Sequence, residues 1–255
     1  MRGKWLGVLI PVVIVVLWEA LWHIDDLRMV SLSRPWDVAI ALFHGLAGGA
    51  ILIATIETFE AALLGFLIAA VIGLFVGLIL GLLPSLESIV GPSIDAMRPV
   101  PSVALIPLSL MIFGFGVRME AAVVAFACLW PILIVTIAAV RGVDTSLLNV
   151  ARVLEMTAYQ RLVKIILPAA LARVAVGLQL ALAISLIVAV TVEIVLNPRG
   201  LGHGMMSAQQ AMRFDQMYAQ LLWIGIVGWG LSAGSQALLN RWSPAYRADR
   251  AKERA

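Results

Sequence analysis

The apolar runs of this chain are too long and too numerous for a soluble core. Residues 47–83 make a stretch of 37 positions whose only ionisable side chains are Glu57 and Glu60. Further runs cover about residues 5–23, 102–115, 119–140, 169–196 and 217–240. A helix that crosses the hydrocarbon layer needs about 20 apolar residues, so runs of this length read as membrane spans. Hydrophobic residues make up 62% of the 255 and charged ones 13%, with a mean hydropathy of +1.01. Soluble domains are about 45–50% apolar and about 25% charged. No segment has soluble composition, which excludes an anchored soluble domain, a disordered chain and a nucleic-acid binder. The chain reads as an all-α polytopic membrane protein with about six transmembrane helices.

As a single helix, the 47–83 run would reach roughly 55 Å, well beyond one crossing. Glu57 and Glu60 share a helical face and are flanked by Thr55 and Thr58. The economical reading is a surface helix up to about residue 60 leading into a span over about 61–83. The 102–115 segment is short and flanked by prolines, so displaced ends or a partly re-entrant course are expected. Trp18-Glu19-Ala20-Leu21-Trp22 makes a poor signal-cleavage site and suits an interfacial belt, so the first run is read as a retained helix.

Basic residues set the orientation. With both termini in the cytoplasm, inner segments 1–4, 84–101, 141–173 and 241–255 hold 13 of the 18 Lys and Arg. Outer segments 24–46, 114–120 and 197–216 hold the other 5, a positive-inside bias. The same rule accounts for the formal charge of +3 without an anionic partner. Gly65, Ala69, Gly73, Gly77 and Gly81 recur every four residues and form a stripe for close helix packing. Gly225, Gly228, Gly230 and Gly234 form a second small-residue patch in the last run. No pair of matching interrupted helices, the mark of inverted-repeat carriers, is present.

Several chemistries find no support. His23, His44 and His203 are scattered without ligand partners at i+3 or i+4, and no metal site is expected. Asp25-Asp26 has no second acidic pair, and there is no Gly-x-Ser-x-Gly elbow. Cys128 stands alone in an apolar run and reads as a small buried hydrophobe. The lysines are Lys4, Lys164 and Lys252, and none follows a phosphate-cradling glycine loop. The chain is not expected to hydrolyse nucleotide, so any uphill transport would need another subunit as its motor.

Residues 141–168 are more than a connection between two membrane helices requires. Asp144 or Thr145 can cap a short helix, with Leu147, Leu148, Ala151 and Leu154 on an apolar face opposite Asn149 and Arg152. A second helical stretch, about 157–166, carries Arg161 and Lys164 before Leu167-Pro168 opens the next span. A projecting helix with an apolar face implies either a protein partner or a place in the lipid interface.

This loop resembles the signature loop of inner-membrane permease subunits of binding-protein-dependent ABC importers. That signature reads Glu-Ala-Ala, three residues, Gly, nine residues, Ile, one residue, Leu-Pro. Asn149-Val150-Ala151, Glu155 and Ile165-Ile166-Leu167-Pro168 keep its spacing, with Asn149 at the first Glu position and Glu155 at the Gly position. Arg98-Pro99-Val100-Pro101, Ala104-Leu105-Ile106-Pro107 and Phe113-Gly114-Phe115-Gly116 are similar to the nitrate/sulfonate/taurine branch. So are Trp130-Pro131-Ile132-Leu133, Arg141-Gly142-Val143-Asp144, Glu193, Gly200-Leu201-Gly202 and the tail Arg241-Trp242-Ser243-Pro244-Ala245-Tyr246. Glu60 departs from the basic residue that this branch carries near that position. Glycine at a helix corner permits positive φ. Glu155 therefore either strains that corner or forces another, through a longer first helix or a different docking of the loop.

The resemblance implies one permease domain over residues 1–255, with its core at about 47–240, its coupling loop at 141–168 and the type I ABC importer permease fold. It implies a homodimer, two ATPase subunits that carry ATP and Mg, and an extracytoplasmic solute-binding protein. No cofactor is expected in this chain. The 144–156 helix would dock into the ATPase, with Leu148 and Ala151 packing there and Arg152 and Glu155 making charged contacts. Asn149, Val150, Ile165, Leu167 and Pro168 complete the coupling set. Arg98, Ser102, Ser109, Thr136, Ser185, Thr191 and Glu193 are candidates for the translocation path, since polar groups at membrane depth are costly. Arg98 either attracts an anionic solute or sits as an interfacial charge. Glu193 is expected to steady the outer gate or a helix end by pairing with Arg199. Residues Arg199, Gly200, Leu201, Gly202 and Arg213 are expected to meet the binding protein. The cargo is expected to be a small anion such as a sulfonate, taurine or nitrate, the alternative being a thiamine-precursor-like heterocycle. Readings of another class are an ATP-independent channel or carrier and an intramembrane enzyme.

Overall fold

The computed structural model describes residues 13–20 and 32–242, and all its regular elements are helical. Residues 13–20 are helical, while the rest of the predicted 5–23 helix lies outside the described residues. The elements that follow are α1 (Pro35–Ala47), α2 (Ala50–Leu82), α3 (Pro84–Met97), a 3-10 turn (Ser102–Leu105) and α4 (Ile106–Phe113). After these come α5 (Val117–Arg141), α6 (Thr145–Val153), α7 (Ala158–Arg161), a π turn (Leu162–Ile166), α8 (Leu167–Val195), α9 (Gly200–Gln210) and α10 (Phe214–Trp242).

The surface helix expected up to residue 60 does not exist as a separate element. The chain breaks earlier, at Gly49, whose φ of 79° belongs to the left-handed region that favours glycine. From Ala50 one helix of 33 residues runs unbroken through Glu57 and Glu60. Its length of about 50 Å exceeds the roughly 30 Å hydrocarbon layer, so its first turns can stand clear of the lipid. Glu57 lies in those turns and finds a polar partner there, which removes the reason to end the helix.

Small residues set the central packing. Gly65, Ala69, Gly73, Gly77 and Gly81 are all buried. A Cβ added to Gly65 would lie 2.6 Å from the Val124 Cβ, and one on Gly77 would lie 2.7 Å from the Thr136 Cβ. One on Gly81 would come within 2.8 Å of the Val140 Cβ, so α5 fits against the bare backbone of α2 along its length. Every partner lies 59 positions further along the chain, so α2 and α5 run parallel.

Two parallel spans require one crossing between them. Between them lies the bent pair α3 and Ser102–Phe113, which turns by 84° at the Arg98–Pro101 break, the geometry of a broken span or a re-entrant loop. The predicted 102–115 span is a 3-10 turn and an eight-residue helix, long and apolar enough to cross only when counted together with residues 84–97. Pro99 and Pro101 deny the backbone a continuous helix between the two. α8 runs back antiparallel to α5. The Cys128 thiol donates to the Ala181 carbonyl at 3.2 Å, and a Cβ on Gly177 would meet Val135. Four helices are long and apolar enough to cross a membrane, five with the bent pair counted as one, among the described residues. In α10, Gly225, Gly230 and Gly234 face open space among the described residues, and of the second small-residue patch Gly228 is the member that comes near α8, where a Cβ would lie 3.5 Å from Leu186.

Candidate functional site

The two ends of the bundle each carry a short helix with polar chemistry. At one end lies α6. Asp144 caps it, accepting from the Ser146 amide at 2.8 Å and from the Ser146 hydroxyl. The hydroxyl first and the amide second hold the exposed Asp144 carboxyl below its ordinary value. α6 stops at Val153, and Glu155 takes the corner with φ 49°. The Glu155 amide reaches the Arg152 carbonyl at 3.1 Å and the Met156 amide reaches the Ala151 carbonyl at 3.0 Å. This is the two-bond left-handed helix stop that glycine usually provides. The helix therefore does not lengthen, and Glu155 keeps the corner at a cost of about 1–2 kcal/mol.

Thr157 and Gln160 then form a reciprocal capping box for α7. Pro168 has no N–H for the Lys164 carbonyl, and the ladder slips to a π turn over Leu162–Ile166 before α8 continues. Ile166 is buried, Ile165 and Leu167 are half-buried, and Pro168 is exposed.

The apolar face of α6 is divided between two tasks. Ala151 is only 1% exposed, and Leu148 packs on Ala139, Val140, Val143, Ile166 and Ala170. These residues root the helix in its own chain, contrary to the expectation that they pack on a partner. The outward ridge is Leu147, Val150, Val153 and Leu154, with Val153 82% exposed. Arg152 stands beside it, donating to Asn149 Oδ1 at 3.2 Å, and Glu155 is exposed. The helix was legible in sequence, but which side faces away depends on how it is rooted.

At the opposite end α9 begins without a side-chain cap of its own. Gly200 donates to Glu57 Oε2 at 3.1 Å, Leu201 to Thr58 Oγ1 at 3.0 Å, and Gly202 to Glu193 Oε2 at 2.8 Å. Arg199 pairs with Glu57 Oε1 at 3.0 Å, and Asn197 Nδ2 donates to Glu120 Oε2 at 2.7 Å. The Glu193–Arg199 pair expected from sequence is replaced by Glu57–Arg199, because Glu193 turns under the helix start. Gly200, Leu201 and Gly202 are buried inside the chain rather than displayed for a binding protein, whereas Arg213 is exposed. Glu57, Thr58, Glu120 and Asn197 were not identified as site residues. The available signals were Glu57 and Thr58 as polar residues inside the 47–83 run, and Glu120 and Asn197 at the ends of theirs.

The candidate path residues do not converge on one cavity. Ser109 donates to the Met119 carbonyl at 2.8 Å, Thr136 to Ile132 at 2.7 Å and Ser185 to Leu182 at 2.8 Å. These three and Glu193 are buried. Thr191 donates to the Ile187 carbonyl, and Ser102 is half-buried in the 3-10 turn. Arg98 is exposed and pairs with Asp95 at 3.2 Å, in a cleft of about 380 Å³ where Arg141 pairs with Glu87 at 3.1 Å. Thr136 instead borders an apolar cavity of about 720 Å³.

Residues 69–248 match the family described as the binding-protein-dependent transport system inner membrane component. The chain is 31% identical over 228 residues to the putative aliphatic sulfonates transport permease protein SsuC of Bacillus subtilis, covering 89% of this chain and 83% of that one. It is 29% identical to the taurine transport system permease protein TauC of Escherichia coli, covering 90% and 86%. With the riboflavin transport system permease protein RibX of Chloroflexus aurantiacus it shares 33% over 79% of this chain and 76% of that one. A solved structure of the MetNI methionine ABC transporter in inward-facing conformations has the same fold, with a TM-score of 0.62 at 20% identity over 82% of this chain and 97% of that one. A multi-pass helical bundle, a projecting helix in the loop before α8 and these relatives agree: the chain belongs to the inner-membrane permease components of binding-protein-dependent ABC importers.

Proposed function

We propose that this chain is one half of a permease pair that forms the path for a small organic or inorganic anion across the inner membrane. Two ABC ATPase subunits would carry ATP and Mg, and an extracytoplasmic solute-binding protein would deliver the cargo. In this reading the chain has six spans and both termini in the cytoplasm, where the 13-to-5 basic bias puts the α6 end.

The observation that carries the reading is the α6 ridge. Four apolar side chains stand exposed on a helix rooted in the bundle, at the positions matching the family's signature loop. Closure of the ATPase pair would draw two such helices together and rock the bundles between their inward- and outward-open forms.

The anion is favoured by the sulfonate and taurine permeases among the relatives. The riboflavin permease keeps a heterocyclic cargo as the second reading. In the cleft that holds Arg98 each guanidinium is paired with a carboxylate, which suits selection by the binding protein rather than by this chain.

The test is reconstitution with a cognate ABC ATPase and solute-binding protein, sought among the neighbouring genes. Uptake of a labelled sulfonate that needs both partners and ATP supports the proposal, and uptake by the permease alone refutes it. A calorimetric screen of the binding protein against sulfonates and heterocycles separates the two cargo readings.

A further inference from the structure

An α-helix leaves its first amides without acceptors, and an Ser, Thr, Asp or Asn at its own start usually supplies one. In α9 that position is Arg199, with extended backbone and no cap bond. The acceptors come from elsewhere: Glu57 and Thr58 in α2, about 143 positions back, and Glu193 in α8, nine positions back. Capping is therefore conditional on where α9 sits. If the helix moves off α2 and α8, three amides lose their acceptors together.

Space and burial both enforce the seat. Gly200 has φ 85°, and a Cβ there would run into the Glu193 carboxylate. A Cβ on Gly202 would meet the Val190 carbonyl oxygen. The Leu201 side chain is fully buried beneath. Glu57 alone pairs with the Arg199 guanidinium, while Glu120 and Glu193, each 2% exposed, accept from the Asn197 amide group and the Gly202 backbone amide. Where water is excluded a hydrogen bond is strengthened and an amide left without its acceptor is costly. Glu193 and Gly200-Leu201-Gly202 thus make one device, a carboxylate and the bare backbone that lets it under the helix.

We propose that Glu193, with Glu57 and Thr58, is a positioning residue: the three clamp α9 on the α2–α8 pair and so hold the α9–α10 hairpin in the orientation that the extracytoplasmic binding protein engages. The clamp acts through the seat of α9 and not by touching solute. Its link to the binding protein rests on the function proposed above, whereas the clamp itself does not.

Two measurements on the full permease–ATPase complex in nanodiscs test it, using Glu193→Gln and Glu193→Ala. Glutamine retains a carbonyl for the Gly202 amide, and alanine does not. Amide exchange over residues 199–204, read without the binding protein, is expected to quicken about tenfold in Glu193→Ala and to stay near the parent in Glu193→Gln. The ratio of binding-protein-stimulated to basal ATPase activity is expected to fall in the alanine variant alone. Thr58→Val, which removes one neutral acceptor, is expected to quicken exchange by about threefold and guards against a folding failure at Glu193. Unchanged exchange in Glu193→Ala overturns the clamp. Faster exchange with an unchanged ratio overturns its positioning role. Equal loss of the ratio in both Glu193 variants shows that charge is required, and overturns action through the amide. A parent complex that no binding protein stimulates defeats the functional reading instead, while the exchange data still judge the clamp.

Discussion

α6 and α9 are built alike at one end and oppositely at the other. Both are short helices stopped by a left-handed corner without glycine: Glu155 at φ 49° after α6 and Met212 at φ 56° after α9. At Met212 the same two bonds form, from its amide to the Gln209 carbonyl and from the Arg213 amide to Ala208. Their starts differ. α6 is capped by Asp144, the residue immediately before it, and α9 by side chains of α2 and α8. A locally capped helix stays intact when its surroundings move, as the coupling role proposed for α6 would require. A remotely capped helix holds its bonds in one seat only.

The severest way to break the contrast is Gly200→Ala. Positive φ with a Cβ driven into Glu193 is expected to cost about 3 kcal/mol, seen as a lower midpoint in thermal unfolding of the purified permease. Next comes Leu154→Asp on the α6 ridge. It should leave the unfolding midpoint unchanged but weaken ATPase binding by about 2 kcal/mol, roughly thirtyfold in a titration of the two subunits. Charge reversal of Arg152 is expected to uncouple ATP hydrolysis from uptake, and normal uptake in that variant would remove Arg152 from the joint. Glu155→Gly should stabilise the α6 corner by about 1 kcal/mol, read from amide exchange, since it relieves the left-handed strain.

The smallest effect is that of pH on the α6 start. The Asp144 carboxyl is held below its ordinary value, so the ionised cap stabilises α6 at all pH values above the usual carboxylate range. That contribution is lost only as pH falls below about 4, through the depressed value. Amide exchange over residues 145–148 should therefore be flat between pH 7 and 5 once the intrinsic rate is removed, and so should that of Asp144→Asn.

The main spans were legible because lipid demands long apolar runs whatever they pack against. The readings 119–140, 169–196 and 217–240 fall within three residues of α5, α8 and α10 at each end. Local cap chemistry was legible too, at Asp144 and at Leu167-Pro168. The 47–60 and 102–115 readings differ from the structure because each depends on a partner: Glu57 is satisfied by Arg199 and Gly200, and residues 102–113 bend by 84° from the helix that precedes them across prolines. Glu193 was visible as a costly polar residue, but its acceptor role was not, since the amide it serves belongs to a helix that folds back over it.

Hydropathy, proline and glycine placement and the signature-loop spacing were enough to determine a greasy helical bundle of this family, because solvent transfer and backbone sterics act residue by residue. Which side of α6 is rooted and which is offered, that α2 and α5 lie parallel along a bare glycine edge, and that three distant side chains cap α9 were decided by the tertiary structure alone. Contacts between residues as much as 143 positions apart have no local period to betray them.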